Sequence, residues 1–207
     1  MVLIAALAFR GWMRADELRA AANLDRISLY TRTILSEWLE LGLVLGGVWL
    51  HGSSLLTVLG ERWRSGRQFL KDVGIGVLFL IASITVTSVL GGHHQGGDTA
   101  TQFLLPRSNS ERALWIVLAV SAGICEEAIF RGYLQKQFMA LTRSVPGGIV
   151  LSAVAFGGAH AYQGAGKAAA ITVLGVMCGL LAYWRGTTRP GMIAHALQDT
   201  LGGFLRH

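Results

Sequence analysis

Long uncharged runs alternate along this chain with short polar, basic linkers. Val73 to Gly92 holds no charged side chain, Ala168 to Trp184 holds none, and Leu41 to Gly60 is interrupted only by His51. A helix rises 1.5 Å per residue, so about 20 residues match a hydrocarbon core of about 30 Å. These three runs therefore predict membrane-spanning helices. Three further apolar stretches carry polar groups at their ends or within them. Ala113 to Cys125 runs into Glu126, Glu127 and Arg131; Val145 to Ala159 meets His160; and Pro190 to Leu205 contains His195 and Asp199. Beside three plain spans, each reads as a membrane helix. The expected fold is all-α, a polytopic membrane protein with about six transmembrane helices and a polar site between the C-terminal ones. Pro190 suits the first turn of its helix, with Thr187 and Thr188 as candidate caps.

The expected organisation has two parts. Residues 1–35 comprise an apolar stub too short to span, followed by a segment in which Arg alternates with Trp12, Met13, Leu18, Leu24, Ile27 and Tyr30. That segment suits an interfacial helix or a solvated juxtamembrane stretch. Residues 36–207 form the membrane domain.

Composition agrees. Charged residues make up 14% of the 207 residues and hydrophobic ones 52%, whereas soluble domains carry about 25% charge. Two cysteines, Cys125 and Cys178, exclude a disulfide framework and read as buried thiols. The net charge of +6 is scattered over linkers, with no basic stripe interleaved with aromatics, so no nucleic-acid partner is expected. His51 reads as structural, and His93 and His94 sit in a Gly-rich linker that is a poor preorganised metal site.

The ionisable residues decide the functional class. Each costs about 2.5–3.5 kcal/mol inside a bilayer, yet Glu126, Glu127, Arg131, His160, His195 and Asp199 are concentrated in three helices. Glu127 and Arg131 stand at i and i+4 and can neutralise each other on one face. Glu126, one position earlier, points elsewhere and stays free. Phe156 and His160 are again i, i+4, with Gly157 and Gly158 between them allowing close helix approach. His195 and Asp199 share the same spacing. A carboxylate and an imidazole can take a proton from water, and a second such pair can stabilise an oxyanion. Glu126, His160, His195 and Asp199 are equally a possible zinc-ligand set, with a metal-bound water as nucleophile. Both routes lead to hydrolysis of a carbonyl, most naturally a peptide bond.

These residues carry a resemblance. Glu126-Glu127-Ala-Ile-Phe-Arg131 resembles the EExxxR motif of the CAAX-protease and bacteriocin-processing (CPBP) family of intramembrane endopeptidases, which includes the type II CAAX prenyl endopeptidases. Phe156-Gly-Gly-Ala-His160 resembles its FxxxH motif, and His195-Ala-Leu-Gln-Asp199 its Hxxx(Asn/Asp) motif. The motifs occur in the family's order across residues 113–205. The resemblance implies that Glu126 and His160 activate water, that His195 and Asp199 stabilise the oxyanion, and that Glu127, Arg131 and Phe156 support the site. Prenyl-processing relatives carry Asn where this chain has Asp199. The family has been described as metal-dependent and as glutamate-dependent, so zinc and a metal-free mechanism both stand as expectations. The implied partners are the lipid bilayer and a membrane-associated peptide or protein, and the expected location is a bacterial plasma membrane. The competing expectation is a non-catalytic scaffold or bacteriocin-immunity protein on the same fold. A proton-coupled transporter is disfavoured, because the chain lacks repeated halves.

Overall fold

The structure, a computed structural model, describes residues 25–90 and 104–205; the stub and interfacial segment up to residue 24, and His93 and His94, lie outside them. The described residues are helical, without strands. In chain order they form α1 (Arg26–Leu50), the short α2 (Leu56–Leu59), α3 (Gly66–Leu90), α4 (Asn109–Glu127), a π-helical stretch (Ala128–Leu134), α5 (Gln135–Thr142), α6 (Val145–Ala159), a 3-10 turn (Ala161–Gln163), α7 (Ala165–Arg185) and α8 (Arg189–Leu205). Four of these units are long and apolar enough to cross a membrane: α1, α3, the continuous 34-residue rod Asn109–Thr142, and α7. The protein is an all-α, multi-pass membrane protein. The remaining two expected spans are present as helices but are short. α6 has 15 residues and α8 has 17, so each covers only about 22–26 Å.

The first span lies further upstream than the apolar run Leu41 to Gly60 suggested. Asp25 caps α1, its carboxylate accepting the Ser28 N–H at 3.1 Å. The run itself is broken by a turn at Gly52, whose φ of +71° suits glycine. Residues 53–60 then form a short link and α2 instead of continuing the helix. Position 35 accordingly falls inside α1, and His51 sits exposed at its C-cap rather than within a span. The other starts fall close to expectation. Ser108 forms a capping box with Glu111 at the head of α4, and Pro146 follows the Ser144 cap of α6. Pro190 lies in the first turn of α8, where the Thr187 hydroxyl accepts the Arg189 N–H at 3.5 Å.

α8 packs against both α4 and α3, α1 lies on α4, and α6 pairs with α7. The α4–α8 approach is unusually close at Gly123, where a Cβ would stand 2.8 Å from the Ala196 nitrogen and from the Met192 carbonyl oxygen. This closeness brings Glu127 within reach of His195. A buried polar clamp ties three helix ends. The fully buried Asp72 at the start of α3 pairs with Arg185 of α7 at 3.1 Å and Arg189 of α8 at 3.2 Å, and accepts the Trp63 indole N–H at 2.9 Å.

The π-helical stretch follows directly on the two glutamates. Such bulges insert an extra residue into the turn and cluster at functional sites. At Gly132 it lies against α2, and a Cβ there would stand 2.1 Å from the Val58 carbonyl oxygen. Backbone cannot yield as a side-chain tip can. Gly132→Ala is therefore expected to destabilise the protein by about 3 kcal/mol, read as a fall in thermal unfolding midpoint of the detergent-purified protein. An unchanged midpoint would show that α2 does not hold this position.

Candidate active site

Glu126 and Glu127 are the last two residues of α4, so successive side chains leave the helix about 100° apart. Their fates differ as that rotation requires. Glu127 turns into the protein and is fully buried. Its Oε1 accepts from the Arg131 guanidinium at 2.7 Å. Arg131 also donates to the Gly175 carbonyl at 3.3 Å and lies 4.2 Å from the centre of the Phe156 ring. Glu126 turns into a cavity of about 380 Å³ lined by residues of α1, α4, α6, α7 and α8. Its Oε1 stands 3.9 Å from His160 Nε2, its Oε2 stands 3.6 Å from His195 Nε2, and Oε2 is buried without a hydrogen-bond partner.

His160 is the C-cap of α6, just past the helix end. Its Nδ1 lies 2.9 Å from the Phe156 carbonyl oxygen. That oxygen can only accept, so Nδ1 carries the proton and Nε2, facing Glu126, is left as an acceptor in the neutral ring. Of the two intervening glycines, Gly157 serves close packing, since a Cβ would lie 2.7 Å from the Ala168 carbonyl oxygen of α7; Gly158 faces open space.

His195 is held from both sides. Nδ1 meets Glu127 Oε1 at 3.3 Å, and Nε2 meets Asp199 Oδ2 at 3.4 Å, the expected i, i+4 pair. Glu127 thus has a second task that spacing alone did not reveal: one oxygen takes the Arg131 guanidinium and orients the His195 ring. The Trp115 indole anchors this turn of α8 by donating to the Asp199 carbonyl at 2.9 Å. Phe156 is a buried wedge, its ring edge-on to Phe130 at 5.0 Å, His160 at 4.8 Å and His195 at 6.0 Å. The structure therefore brings together all seven residues singled out in the sequence, from three segments of chain. Cys125 and Cys178 are free, buried thiols.

Glu37, on α1, also lines the cavity, as do Tyr30, Trp115 and Gln198. The sequence reading missed Glu37 because it began the first span at Leu41. A carboxylate one turn before an apolar run was the available signal.

Among the described residues, no three or more His, Cys, Asp or Glu side chains are grouped to hold a metal ion. Glu126 turns a different oxygen to each imidazole, and Asp199 approaches the same His195 nitrogen as Glu126.

Residues 108–201 match the family described as type II CAAX prenyl endopeptidase Rce1-like. This part of the chain is similar to that family. The matched segment contains every residue of the three motifs and excludes α1 and α3. The Rce1-like match supports an intramembrane protease activity of the CAAX type in general, in a lipid bilayer. No curated protein and no solved structure matches the chain.

Proposed function

We propose that this protein is an intramembrane endopeptidase that hydrolyses a peptide bond of a membrane-associated protein or peptide, in the plasma membrane of a bacterial cell. The observation that carries the reading is the meeting of Glu126, His160, His195 and Asp199 at one cavity within the helical bundle. The 3.9 Å between Glu126 and His160 is too long for a direct hydrogen bond and short enough for one water to touch both. Glu126, with His160 Nε2 as second acceptor, takes a proton from that water as its oxygen attacks the scissile carbonyl carbon. The carbonyl π electrons move onto oxygen. His195, as imidazolium, donates to that oxyanion from Nε2, with Glu127 on Nδ1 and Asp199 beside Nε2 as countercharges. Collapse of the intermediate breaks the C–N bond, and the proton held by Glu126 passes to the departing amine. A carboxylate in place of Asn at position 199 fits this scheme, because its task is to support His195 rather than to donate.

The test is a cleavage assay on a membrane-peptide mixture with purified protein, wild type beside His160→Ala, combined with metal analysis and chelator treatment. Cleavage that survives chelation and falls at least about 100-fold in His160→Ala supports the carboxylate–imidazole reading. One tightly bound zinc per chain, lost together with cleavage on chelation, would replace it with a metalloprotease. No cleavage by the wild type would leave the scaffold or immunity role.

A further inference from the structure

The cavity wall opposite the motif helices is built by α1, which lies outside the Rce1-like segment. Leu29, Tyr30, Thr33 and Glu37 recur at helical spacing and all face this cavity. Contacts on either side of Glu37 fix that face. The Tyr30 ring meets Trp115 edge-on at 5.4 Å, and the Trp38 indole donates to the Ser121 hydroxyl of α4 at 3.0 Å. The Tyr30 hydroxyl donates to the Leu104 carbonyl. Between these anchors, Glu37 Oε2 is buried and meets no hydrogen-bond partner. An oxygen in that condition costs free energy, of order 1–3 kcal/mol, unless something fills its need.

Glu37 does not serve the catalytic side chains directly. Neither His160 nor His195 lies within ion-pairing distance of it, while both pair with Glu126. Glu37 lines the same cavity as Glu126 and Asp199. Three carboxyl groups thus face one cavity whose other ionisable wall residues are His160, His195, Tyr30, Tyr162 and Lys167. A basic side chain entering beside Glu37 can donate to its unpartnered oxygen as an ion pair, a stronger bond than a neutral donor makes, whereas an acidic one meets another carboxyl group.

We infer that Glu37 is a specificity residue: it receives a basic side chain, Lys or Arg, of the peptide whose scissile bond lies over Glu126. The inference rests on the hydrolase reading above and adds to it a class of substrate. Binding of the base gives Glu37 Oε2 its missing donor and anchors the peptide between α1 and the motif helices.

The experiment uses the full-length protein in detergent and quenched-fluorescent peptides that share one apolar sequence. A Lys, Arg, Leu or Glu is placed in turn at each position flanking the bond that is cut. The wild type is expected to cut the best Lys or Arg peptide about tenfold faster, in kcat/KM, than its Leu counterpart, and the Glu peptide slowest. In Glu37→Gln this Lys/Leu ratio should fall to about unity, chiefly through KM, and Glu37→Asp should restore part of it. Equal losses on Lys and Leu peptides, with the ratio kept, would overturn the assignment, as would a wild type that cuts without preferring a base. The wild-type preference is read without any variant, so a misfolded Glu37→Gln cannot hide a failure. A wild type that cuts no peptide at all overturns the hydrolase reading and this inference with it.

Discussion

Glu126→Gln abolishes cleavage, by about 10³-fold or more, and leaves the folded protein at least as stable as the wild type. The first half follows from the task. Gln keeps the shape of Glu126 but cannot take the proton of a water held against His160, and a positioned general base contributes about 10²–10⁴-fold. The second half follows from the surroundings. Among the described residues no arginine pairs with Glu126, and its Oε2 is buried without a hydrogen-bond partner. Removing a charge from such a place relieves a desolvation cost and gives up only the long contacts to His160 and His195, at 3.9 and 3.6 Å. A residue kept for packing or for tethering helices would behave in the opposite way, losing stability and sparing chemistry. Cleavage of a membrane peptide, read by mass spectrometry beside a thermal melt of the same preparation, separates the two. Activity above a tenth of wild type would remove Glu126 from the mechanism.

What the sequence disclosed divides along the distinction between local and long-range geometry. Glu127–Arg131 and His195–Asp199 are one turn apart, so helical spacing alone sets their meeting, and the structure finds them at 2.7 and 3.4 Å. The ends of the first span were less legible. Hydropathy sums over a window and does not register that Gly52, Ser53 and Ser54 break the chain into a turn, or that Asp25 caps a helix long before the apolar run begins. Contacts between distant helices left no periodic trace. Asp72 reads as one acid ending a basic linker, yet it is buried between Arg185 and Arg189. Glu37 joins the cavity only because α1 packs on α4 beside Ser121.

Arg131→Met costs about 3–5 kcal/mol of stability, and a second change, Glu127→Gln, returns much of it without returning activity. Both partners of this pair are fully buried, and Arg131 neutralises the Glu127 carboxylate at 2.7 Å. Removing the guanidinium strands that carboxylate in a medium that solvates it poorly, a loss far larger than the net worth of the intact pair. Neutralising Glu127 in the same chain removes the stranded charge, and Met restores most of the buried volume. Activity does not follow stability, because Glu127 Oε1 also holds His195 Nδ1 at 3.3 Å. A neutral amide is a weaker partner for an imidazole that must donate to an oxyanion from its other nitrogen. The double variant is therefore expected to melt within a few degrees of wild type while its kcat stays at least about tenfold down and KM changes little. A double-mutant cycle on the unfolding midpoint, run beside the kinetics, reads both effects. If the single Arg131→Met variant melts with the wild type, the pair does not hold the α4 rod in place. If the double variant recovers full kcat, Glu127 holds structure alone, and His195 is oriented by Asp199 without it.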